Sequence, residues 1–283
     1  MLDLHTHSTF SDGTLSPAEI VRESHRRGLR AVALTDHDTV AGAPTFMAVC
    51  ARTGLEGVPG VELSASWHGG SLHIVGLFID PENATLDTLL RGVRDNRRNR
   101  NQAMITRLRA NGMAISMEDV VAEAGGDVVG RPHFASVLVR KGYCQTYRDV
   151  FDHWLGMGKP AYIRRFLPLP TEAIDGIHAA GGVAIMAHPF GNPNGTAVSK
   201  VRKMLKTMAA IGLDGLEVYY SDHSPAETAQ ARQLAADFGL LISGGSDFHG
   251  DRNPGVELGA GRGDLHVPDQ LLEPLRARAA RGR

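Results

Sequence analysis

The sequence predicts an α/β fold whose strands close into a barrel, interrupted by a helical segment. Over most of the 283 residues, short apolar runs typical of buried strands alternate with helical stretches, a pattern that indicates a parallel sheet. Polar side chains suited to metal binding follow the carboxyl ends of these strands, where α/β folds gather their ligands. An open sheet would spread these side chains along a line, whereas a closed or distorted barrel brings them to one mouth. The convergence of several ligand types therefore favours the barrel.

The N-terminal part predicts the order βαβαββ. The tetrapeptide Ser16-Pro17-Ala18-Glu19 is a capping box with proline at the first helical position. It begins a helix that ends near Gly28. The other predicted elements are a strand at 2–4, a strand at 29–34, a helix from about 42 to 53, a strand at 55–61 and a strand at 71–79.

Residues 85–165 predict a mainly helical insertion, because no regular strand pattern occurs there. The insertion contains an arginine-rich stretch (Arg91 to Arg109) and a predicted turn, Gly130-Arg131-Pro132-His133. We therefore expect a barrel built from residues 1–84 and 166–283. Its later elements are a helix at 171–180, a strand at 182–187, a helix at 198–211, a strand at 213–219, a helix beginning at a second capping box (224–227), a strand at 240–243 and a helix after 268.

Composition excludes several classes of protein. The formal net charge is −1, so no global field favours nucleic acid or membrane surfaces. Cys50 and Cys144 lie far apart in the sequence and in no metal-binding spacing, which indicates reduced thiols. We find no signal-peptide pattern and no apolar run of 18 residues. The expectation is a cytoplasmic protein with no membrane association and no obligate protein partner.

The opening segment carries the first candidate metal ligands. His5 and His7 are two residues apart in an extended segment, so their side chains point to the same face. Later strands deliver further imidazoles and carboxylates, which suit zinc, manganese or iron. One ion cannot use them all, so two or three ions are expected, with Glu62 as the natural bridge. The candidates are His5, His7, Asp12, His37, Glu62, His73, His188, Asp247 and His249, with His133 as a further possibility.

The order of these motifs resembles the PHP (polymerase and histidinol phosphatase) superfamily. The matching motifs are H-T-H-S-x-x-S-D-G, T-D-H-D, G-V-E, a strand histidine, A-H-P and G-S-D-x-H, between Asp3 and His249. The resemblance implies a distorted (β/α)7 barrel that holds three divalent metal ions. Manganese is the expected metal, and iron and zinc are the alternatives. It assigns one ion to His5, His7, Glu62 and Asp247, a second to Glu62, His73 and His188, and a third to Asp12, His37 and His249. For the second ion, His133 is the alternative to His188.

Clustered metals of this kind suit phosphoester hydrolysis by a metal-bound hydroxide. The sequence has neither a G-x-S-x-G elbow nor a Walker A loop, in agreement with a mechanism that needs no protein nucleophile. The candidates for the catalytic general acid are Asp12, Asp36 and His188.

The helical insertion resembles that of the TrpH-like group within the superfamily. The group includes phosphatases that release the 3′-phosphate of 3′,5′-bisphosphonucleotides (pAp to AMP and phosphate) and a 5′→3′ exonuclease of short RNA. The predicted substrate contacts are Asp12, Arg131 and His133; Arg131 offers a planar fork suited to phosphate. The arginine-rich stretch is either a solvated helix face or an anion entrance. Aromatic residues are only 6% of the chain, which favours a small nucleotide over a long polymer.

Three other functions remain to be weighed. A histidinol phosphate phosphatase needs a pocket for a small cation, against which the arginines argue. A non-catalytic metal-binding module would be expected to have lost ligands, and this set is intact. Amidohydrolase chemistry on a C–N bond usually places a lysine at the metal bridge, and no lysine precedes Lys141.

Overall fold

A seven-stranded sheet, ordered β1 to β7, curves into a nearly closed barrel. The computed structural model describes residues 1–68, 70–124, 129–191 and 196–281. The strands are β1 Leu2–Asp3, β2 Ala31–Leu34, β3 Glu56–Trp67, β4 Gly70–Leu77, β5 Val183–Met186, β6 Gly215–Tyr220 and β7 Leu241–Gly245. The α-helices are α1 Pro17–Arg26, α2 Ala43–Thr53, α3 Ala84–Ala110, α4 Met117–Ala124, α5 Arg131–Arg140, α6 Tyr147–Val150, α7 Pro170–Ala179, α8 Val198–Ala210, α9 Pro225–Asp237 and α10 Leu272–Arg281.

The sheet is mixed, and the expectation of a purely parallel sheet was wrong. Strand β4 runs antiparallel to both β3 and β5, while the other neighbouring pairs are parallel. A tight connection after Trp67 joins β3 to β4, and such a connection can only produce an antiparallel pair. The reversal places the start of β4, rather than its end, at the mouth of the barrel. His73 therefore reaches the mouth from within its strand.

The barrel closes where the N-terminal segment meets β7. The Leu4 N–H donates to the Gly244 carbonyl at 3.1 Å, and the Asp247 N–H donates to the His5 carbonyl at 2.9 Å. Gly245 permits this approach, because a Cβ added there would lie 2.4 Å from the His5 backbone nitrogen. Buried Asp3 fixes the seam by accepting hydrogen bonds from the Ser246 N–H (2.8 Å) and hydroxyl (2.6 Å).

Both predicted capping boxes are confirmed. The Ser16 hydroxyl accepts from the Glu19 N–H while the Glu19 carboxylate accepts from the Ser16 N–H, and Ser224 and Glu227 do the same at α9. The predicted turn at Gly130 is instead the N-terminus of α5, with Gly130 as the N-cap and proline in the first turn. Proline lacks the N–H that the first turn of a helix leaves unbonded anyway, so it begins a helix readily.

The helices from α3 to α9 belong to two hydrophobic clusters. The first turns of α3 (Leu86, Leu90) pack with Ile174 and Ile177 of α7 against the barrel. The later turns of α3 (Met104, Leu108) join a separate cluster with α4, α5 and the helical turns up to residue 155. No helix in the described ranges is long and apolar enough to cross a membrane. Cys50 and Cys144 are free thiols.

Candidate metal centre

The candidate ligands meet at one end of the barrel in three overlapping groups. Within each group, one donor atom from every residue lies within 4.8 Å of the others. The groups are His5, His7, Glu62 and Asp247; His7, Asp12, His37 and His249; and His37, Glu62 and His73. The first group is identical to the ligand set predicted for the first ion. The second group contains the set predicted for the third ion, with His7 in addition. The third group differs from the set predicted for the second ion, because it contains His37 in place of His188.

The first group has the spacing of atoms around a single ion. The His7 Nε2 atom lies 3.1 Å from Asp247 Oδ1 and 3.3 Å from Glu62 Oε2. The His5 Nε2 atom lies 3.4 Å from each of the same two oxygens. Donor atoms bound at about 2.1 Å to one tetrahedral or octahedral ion are separated by roughly 3.0–3.4 Å. The four side chains are therefore already placed for a common ion.

The Glu62 carboxylate lies close to more of the candidate histidines than any other described carboxylate of the site. It lies in the middle of β3, because this strand continues well beyond residue 61, where the predicted strand ended. Its Oε2 lies 2.9 Å from His37 Nδ1, on the side of the first group. Its Oε1 faces the other way, 2.8 Å from His73 Nδ1 and 3.1 Å from His188 Nε2. One carboxylate thus presents its two oxygens to two sets of imidazoles, as a bridge between ions requires.

Asp12 faces the second group from the loop after β1. Its Oδ1 lies 3.3 Å from His249 Nε2, and its Oδ2 lies 3.7 Å from His37 Nε2. Gly13 lets this loop fold back, because a Cβ there would lie 2.1 Å from the His7 carbonyl oxygen.

Left-handed backbone turns several of these side chains inward. Asp38, His188 and Asp247 have φ values of 54°, 29° and 56°. Non-glycine residues in this region cost about 1–3 kcal/mol each and cluster at functional sites, where the surrounding structure holds them. All three follow a strand that delivers a candidate ligand.

Buried donor atoms without hydrogen-bond partners support the presence of ions. In the described part of the chain, six such atoms face one another without the angles of a hydrogen bond, although His37 Nδ1 and Glu62 Oε2 lie 2.9 Å apart: His5 Nε2, His7 Nε2, Asp12 Oδ1, His37 Nδ1, Glu62 Oε2 and His73 Nδ1. Leaving a buried polar atom unpaired costs about 1–3 kcal/mol. Imidazole and carboxylate donors together fit manganese, iron or zinc, so the residues fit the metal ions that the motifs imply.

The charges of the site act strongly on one another. Burial would raise the pKa of the Glu62 carboxyl, but the imidazoles of His37, His73 and His5 hold it well below its ordinary value. Burial would lower the pKa of His249, but Asp247 and Asp12 raise it to about 10. The carboxylates are therefore ionised over the physiological range, as ligands must be.

Sequence reasoning missed Glu217, which lies buried in β6. Its Oε1 is 2.9 Å from His5 Nδ1, and its Oε2 accepts the His188 backbone N–H at 2.7 Å. A carboxylate in this position holds the proton on Nδ1 and leaves Nε2 free to bind a metal. The available signal was a charged residue within the apolar strand sequence Leu216-Glu217-Val218. Tyr220, also missed, donates to Asp247 Oδ2 at 3.1 Å.

Asp36 is buried next to the candidate ligands, and both of its carboxylate oxygens accept hydrogen bonds. Its carboxylate accepts from the Ser8 N–H (2.7 Å), the Ser8 hydroxyl (2.6 Å) and the Ser11 hydroxyl (2.6 Å). These bonds hold the loop that carries Asp12.

A cavity of about 1000 Å³ extends from the candidate ligands to the helical segment. Asp12, His37 and His73 line one side of it. Five arginines and one glutamate also line it: Arg97, Arg100, Arg131, Arg164, Arg165 and Glu172. We call this cavity the arginine cleft.

Asp38 anchors two of these arginines from the barrel side. Its fully buried carboxylate pairs with Arg97 and, at 2.7 Å, with Arg165. Among the described residues, neither Arg100 nor Arg131 pairs with a carboxylate. Burial and the neighbouring arginines hold the pKa of Arg100 well below its ordinary value. The cleft therefore carries uncompensated positive charge, and sequence reasoning had identified only Arg131 individually.

His133 is buried at the start of α5. Its Nδ1 accepts the Gly130 N–H at 3.0 Å, and its Nε2 contacts the Arg252 guanidinium. Burial and the Arg252 charge lower the pKa of His133 to about 4. A cation bound at Nε2 would meet a fixed guanidinium, whereas His188 faces the Glu62 carboxylate. This geometry favours His188 over His133 for the second ion.

Comparisons with known proteins show which proteins this chain resembles. Residues 3–162 match the model of the PHP domain family. The chain is 37% identical to a 5′-3′ exoribonuclease of Haemophilus influenzae, covering 87% of this chain and 89% of that protein. It is 35% identical to a 3′,5′-nucleoside bisphosphate phosphatase of Chromobacterium violaceum, covering 91% and 90%. A solved structure described as an amidohydrolase from Chromobacterium violaceum with bound sulfate superimposes with a TM-score of 0.84 at 33% identity, covering 98% and 96%.

Proposed function

The chain belongs to the PHP domain family and is a phosphoesterase, and we propose that it releases the 3′-phosphate of 3′,5′-bisphosphonucleotides, converting pAp to AMP and phosphate. The observation that supports this proposal is the arginine cleft, in which guanidinium groups line the same cavity as candidate metal ligands and would serve as a second anion site. A substrate with phosphates at both ends of a ribose fits such an arrangement.

Three divalent ions, manganese in the first place, belong to this proposal. His5, His7, Glu62 and Asp247 would hold one ion; Glu62, His73 and His188 a second; and Asp12, His37 and His249 the third. When bound, such ions activate water for attack on phosphorus and neutralise the charge that develops on the phosphoryl oxygens.

Of the two remaining candidates for delivering a proton to the leaving 3′-oxygen, His188 is the better one, because the imidazoles of His37 and His249 outweigh burial and hold the pKa of Asp12 well below its ordinary value. Asp12 lines the arginine cleft, and the His188 side chain is partly exposed. We assign Asp36 a positioning role instead, because its oxygens are occupied by Ser8 and Ser11 and it is buried.

The 5′-phosphate is assigned to the arginine side of the cleft. Guanidinium groups bind phosphate oxygens through paired N–H donors. Arg131 also lies in the first turn of α5, where the helix dipole favours an anion. The His133 side chain accepts the Gly130 N–H at the start of this helix. We therefore propose that His133 assists phosphate binding by fixing the position of Arg131.

The proposal also gives residues 85–165 a role. Arg97 and Arg100 lie on α3 and Arg131 begins α5, so this segment supplies substrate-binding groups to the barrel of residues 1–84 and 166–283. Arg165, at the boundary, is held by Asp38 of the barrel.

The proposal is tested by phosphate release from pAp, AMP, histidinol phosphate and a short 5′-phosphorylated RNA, each with added manganese. We expect release from pAp and not from AMP. Turnover of histidinol phosphate alone would refute the proposal.

Arginine variants separate the two phosphate sites. We expect Arg131→Gln to raise KM for pAp at least tenfold, since charge-assisted hydrogen bonds contribute about 1.5–3 kcal/mol, while KM for 3′-AMP, which lacks the 5′-phosphate, changes little. Arg98→Gln is the matched control, because Arg98 is exposed on α3 and pairs with Asp95. Equal losses on pAp and 3′-AMP would remove Arg131 from the 5′-phosphate site.

A second candidate function is 5′→3′ exonuclease activity on short RNA. The H. influenzae relative bears this name, and the arginine cleft opens to solvent beside exposed Met157 and Phe166, which leaves room for a nucleotide attached at the 3′ side. Mononucleotide release from the 5′ end of the RNA at a rate above that for pAp would favour this function.

A further inference from the structure

Three large apolar side chains that line the arginine cleft are exposed to solvent, and Leu169, at 57%, is the least exposed of them. Met157 is 73% exposed and Phe166 is 72% exposed, and both line the cavity. Such exposure of large apolar side chains, concentrated beside a site, is typical of a surface that binds a ligand.

The segment that carries Phe166 is fixed on both sides. On one side, Arg165 pairs with buried Asp38 at 2.7 Å. On the other, the Pro168 carbonyl accepts the Ser66 N–H of β3 at 2.8 Å. Phe166 therefore projects from backbone that is anchored to the barrel, so its ring is presented to the cleft at a small entropic cost on binding.

The surroundings of Phe166 define the chemistry of its ligand. Cationic Arg131 and Arg165 line the same cleft, so the ligand carries an anionic group. An exposed aromatic ring on the wall of the same cavity favours a flat, apolar moiety attached to that anion, because bases stack on aromatic side chains whatever their identity.

We propose that Phe166, assisted by Met157, is the stacking platform for the nucleobase of the substrate. The inference rests on the proposed function, in that it takes the ligand to be a nucleotide. It predicts weak base discrimination, because stacking uses the face of the base rather than its hydrogen-bonding edge. Phe166 was not recognisable from the sequence, which pointed to no aromatic platform.

The test compares the binding of 5′-AMP and ribose 5-phosphate to the manganese-loaded protein by calorimetry. The two ligands share the phosphate and the ribose and differ in the base. We expect 5′-AMP to bind roughly five- to a hundredfold more tightly, the range given by base–aromatic stacking. In Phe166→Ala the ratio of the two affinities should approach one, and in Phe166→Trp it should stay close to that of the unmodified protein. Val121→Ala is the control, because Val121 is exposed on α4 and does not line the cleft.

The outcomes separate the platform from the proposed function. If Phe166→Ala weakens both ligands equally, or weakens neither, the platform is refuted. If the unmodified protein binds neither ligand, or binds the two alike, it is refuted as well. Turnover of pAp is measured on the same preparations. If the protein hydrolyses pAp but Phe166→Ala leaves the preference for 5′-AMP over ribose 5-phosphate unchanged, the platform alone is refuted. If Phe166→Ala abolishes that preference but the unmodified protein does not hydrolyse pAp, the proposed function alone is refuted.

Discussion

At the scale of single residues, the site depends on carboxylates that fix the orientation of imidazole rings. His5 shows this most directly, because its Nδ1 is hydrogen-bonded to the Glu217 carboxylate at 2.9 Å. Its Nε2 therefore faces Glu62 and Asp247. The ring is buried, so no water can take over this role. Glu217 touches none of the predicted substrate groups, yet we expect it to control metal binding.

Replacing Glu217 tests this role. Glu217→Gln keeps the shape and removes the charge, and we expect metal affinity to fall by about 10–100-fold, as for other residues behind metal ligands. Metal content after dialysis against graded chelator measures the affinity. Glu273→Gln, an exposed carboxylate on α10, should change nothing. Full metal content in Glu217→Gln would show that His5 is oriented without it.

Two imidazoles of the site with raised pKa values predict how the metal-free protein responds to pH. Despite burial, Glu62 and Asp12 raise the pKa of His37 to about 9, and Asp247 and Asp12 raise that of His249 to about 10. A folded-state pKa above the unfolded value of about 6.5 contributes stability that is complete below that value and is lost as pH rises through the folded pKa. The free energy of unfolding should therefore fall between about pH 7 and pH 10.

Urea unfolding in the presence of chelator measures this dependence. His249→Asn removes one of the titrating groups, so its stability should fall less steeply over the same range. Because metal binding displaces these protons, calorimetry in buffers of different ionisation enthalpy should also show proton release on adding manganese. Equal pH slopes for the two proteins would contradict the assignment of this effect to His249.

At the scale of elements, Asp38 joins three separate parts of the chain. It follows β2, pairs with Arg97 on α3 and with Arg165 before α7, and accepts the Ser64 N–H of β3 at 3.1 Å. Burial opposes its ionisation, but Arg165 and Arg97 outweigh burial and hold the pKa of Asp38 well below its ordinary value. The contact orients the arginine side of the cleft relative to the candidate metal ligands.

Removing the charge of Asp38 leaves two largely buried guanidinium groups uncompensated. We expect Asp38→Asn to lower the free energy of unfolding by about 3–5 kcal/mol, the cost of breaking a buried ion pair from one side. Chemical denaturation provides the measurement. Asp87→Asn, which removes an exposed partner of Arg91 on α3, should cost no more than about 1 kcal/mol. Similar small losses in both variants would mean that solvent compensates the arginines.

At the scale of the whole molecule, the site exists only if the barrel closes, because its ligands come from both ends of the chain. His5 and His7 follow β1, and Asp247 and His249 follow β7. Gly245 at the seam has no room for a side chain, since an added Cβ would lie 2.4 Å from His5 Cβ as well as from its nitrogen. The fit of one glycine thus governs the geometry of the first ion site.

A pair of glycine substitutions tests this dependence. We expect Gly245→Ala to reduce both stability and manganese binding, because the two strands must move apart. Gly92→Ala, in the open middle of α3, should leave metal binding unchanged and stabilise the protein by about 0.5–1 kcal/mol. Thermal unfolding and metal analysis measure the two effects. Normal metal content in Gly245→Ala would show that the seam tolerates displacement.

The sequence by itself determined the local features of this protein. Both capping boxes are encoded within four residues, and each strand-end histidine is recognisable from its own neighbours. The α/β class also followed, because alternating apolar periodicities reflect burial that each segment carries separately. These features depend on contacts between residues close in the chain, and such contacts are visible in a linear pattern.

The tertiary structure alone decided the contacts between distant segments. The reversal of β4, the engagement of Asp36 by Ser8 and Ser11, and the gathering of Arg97, Arg100, Arg131 and Arg165 around one cleft left no local pattern. Glu217 and Asp38 likewise acquire their roles from partners far away in sequence. The energies that fix these side chains arise from burial and charge in three dimensions, so they appear only once the chain has folded.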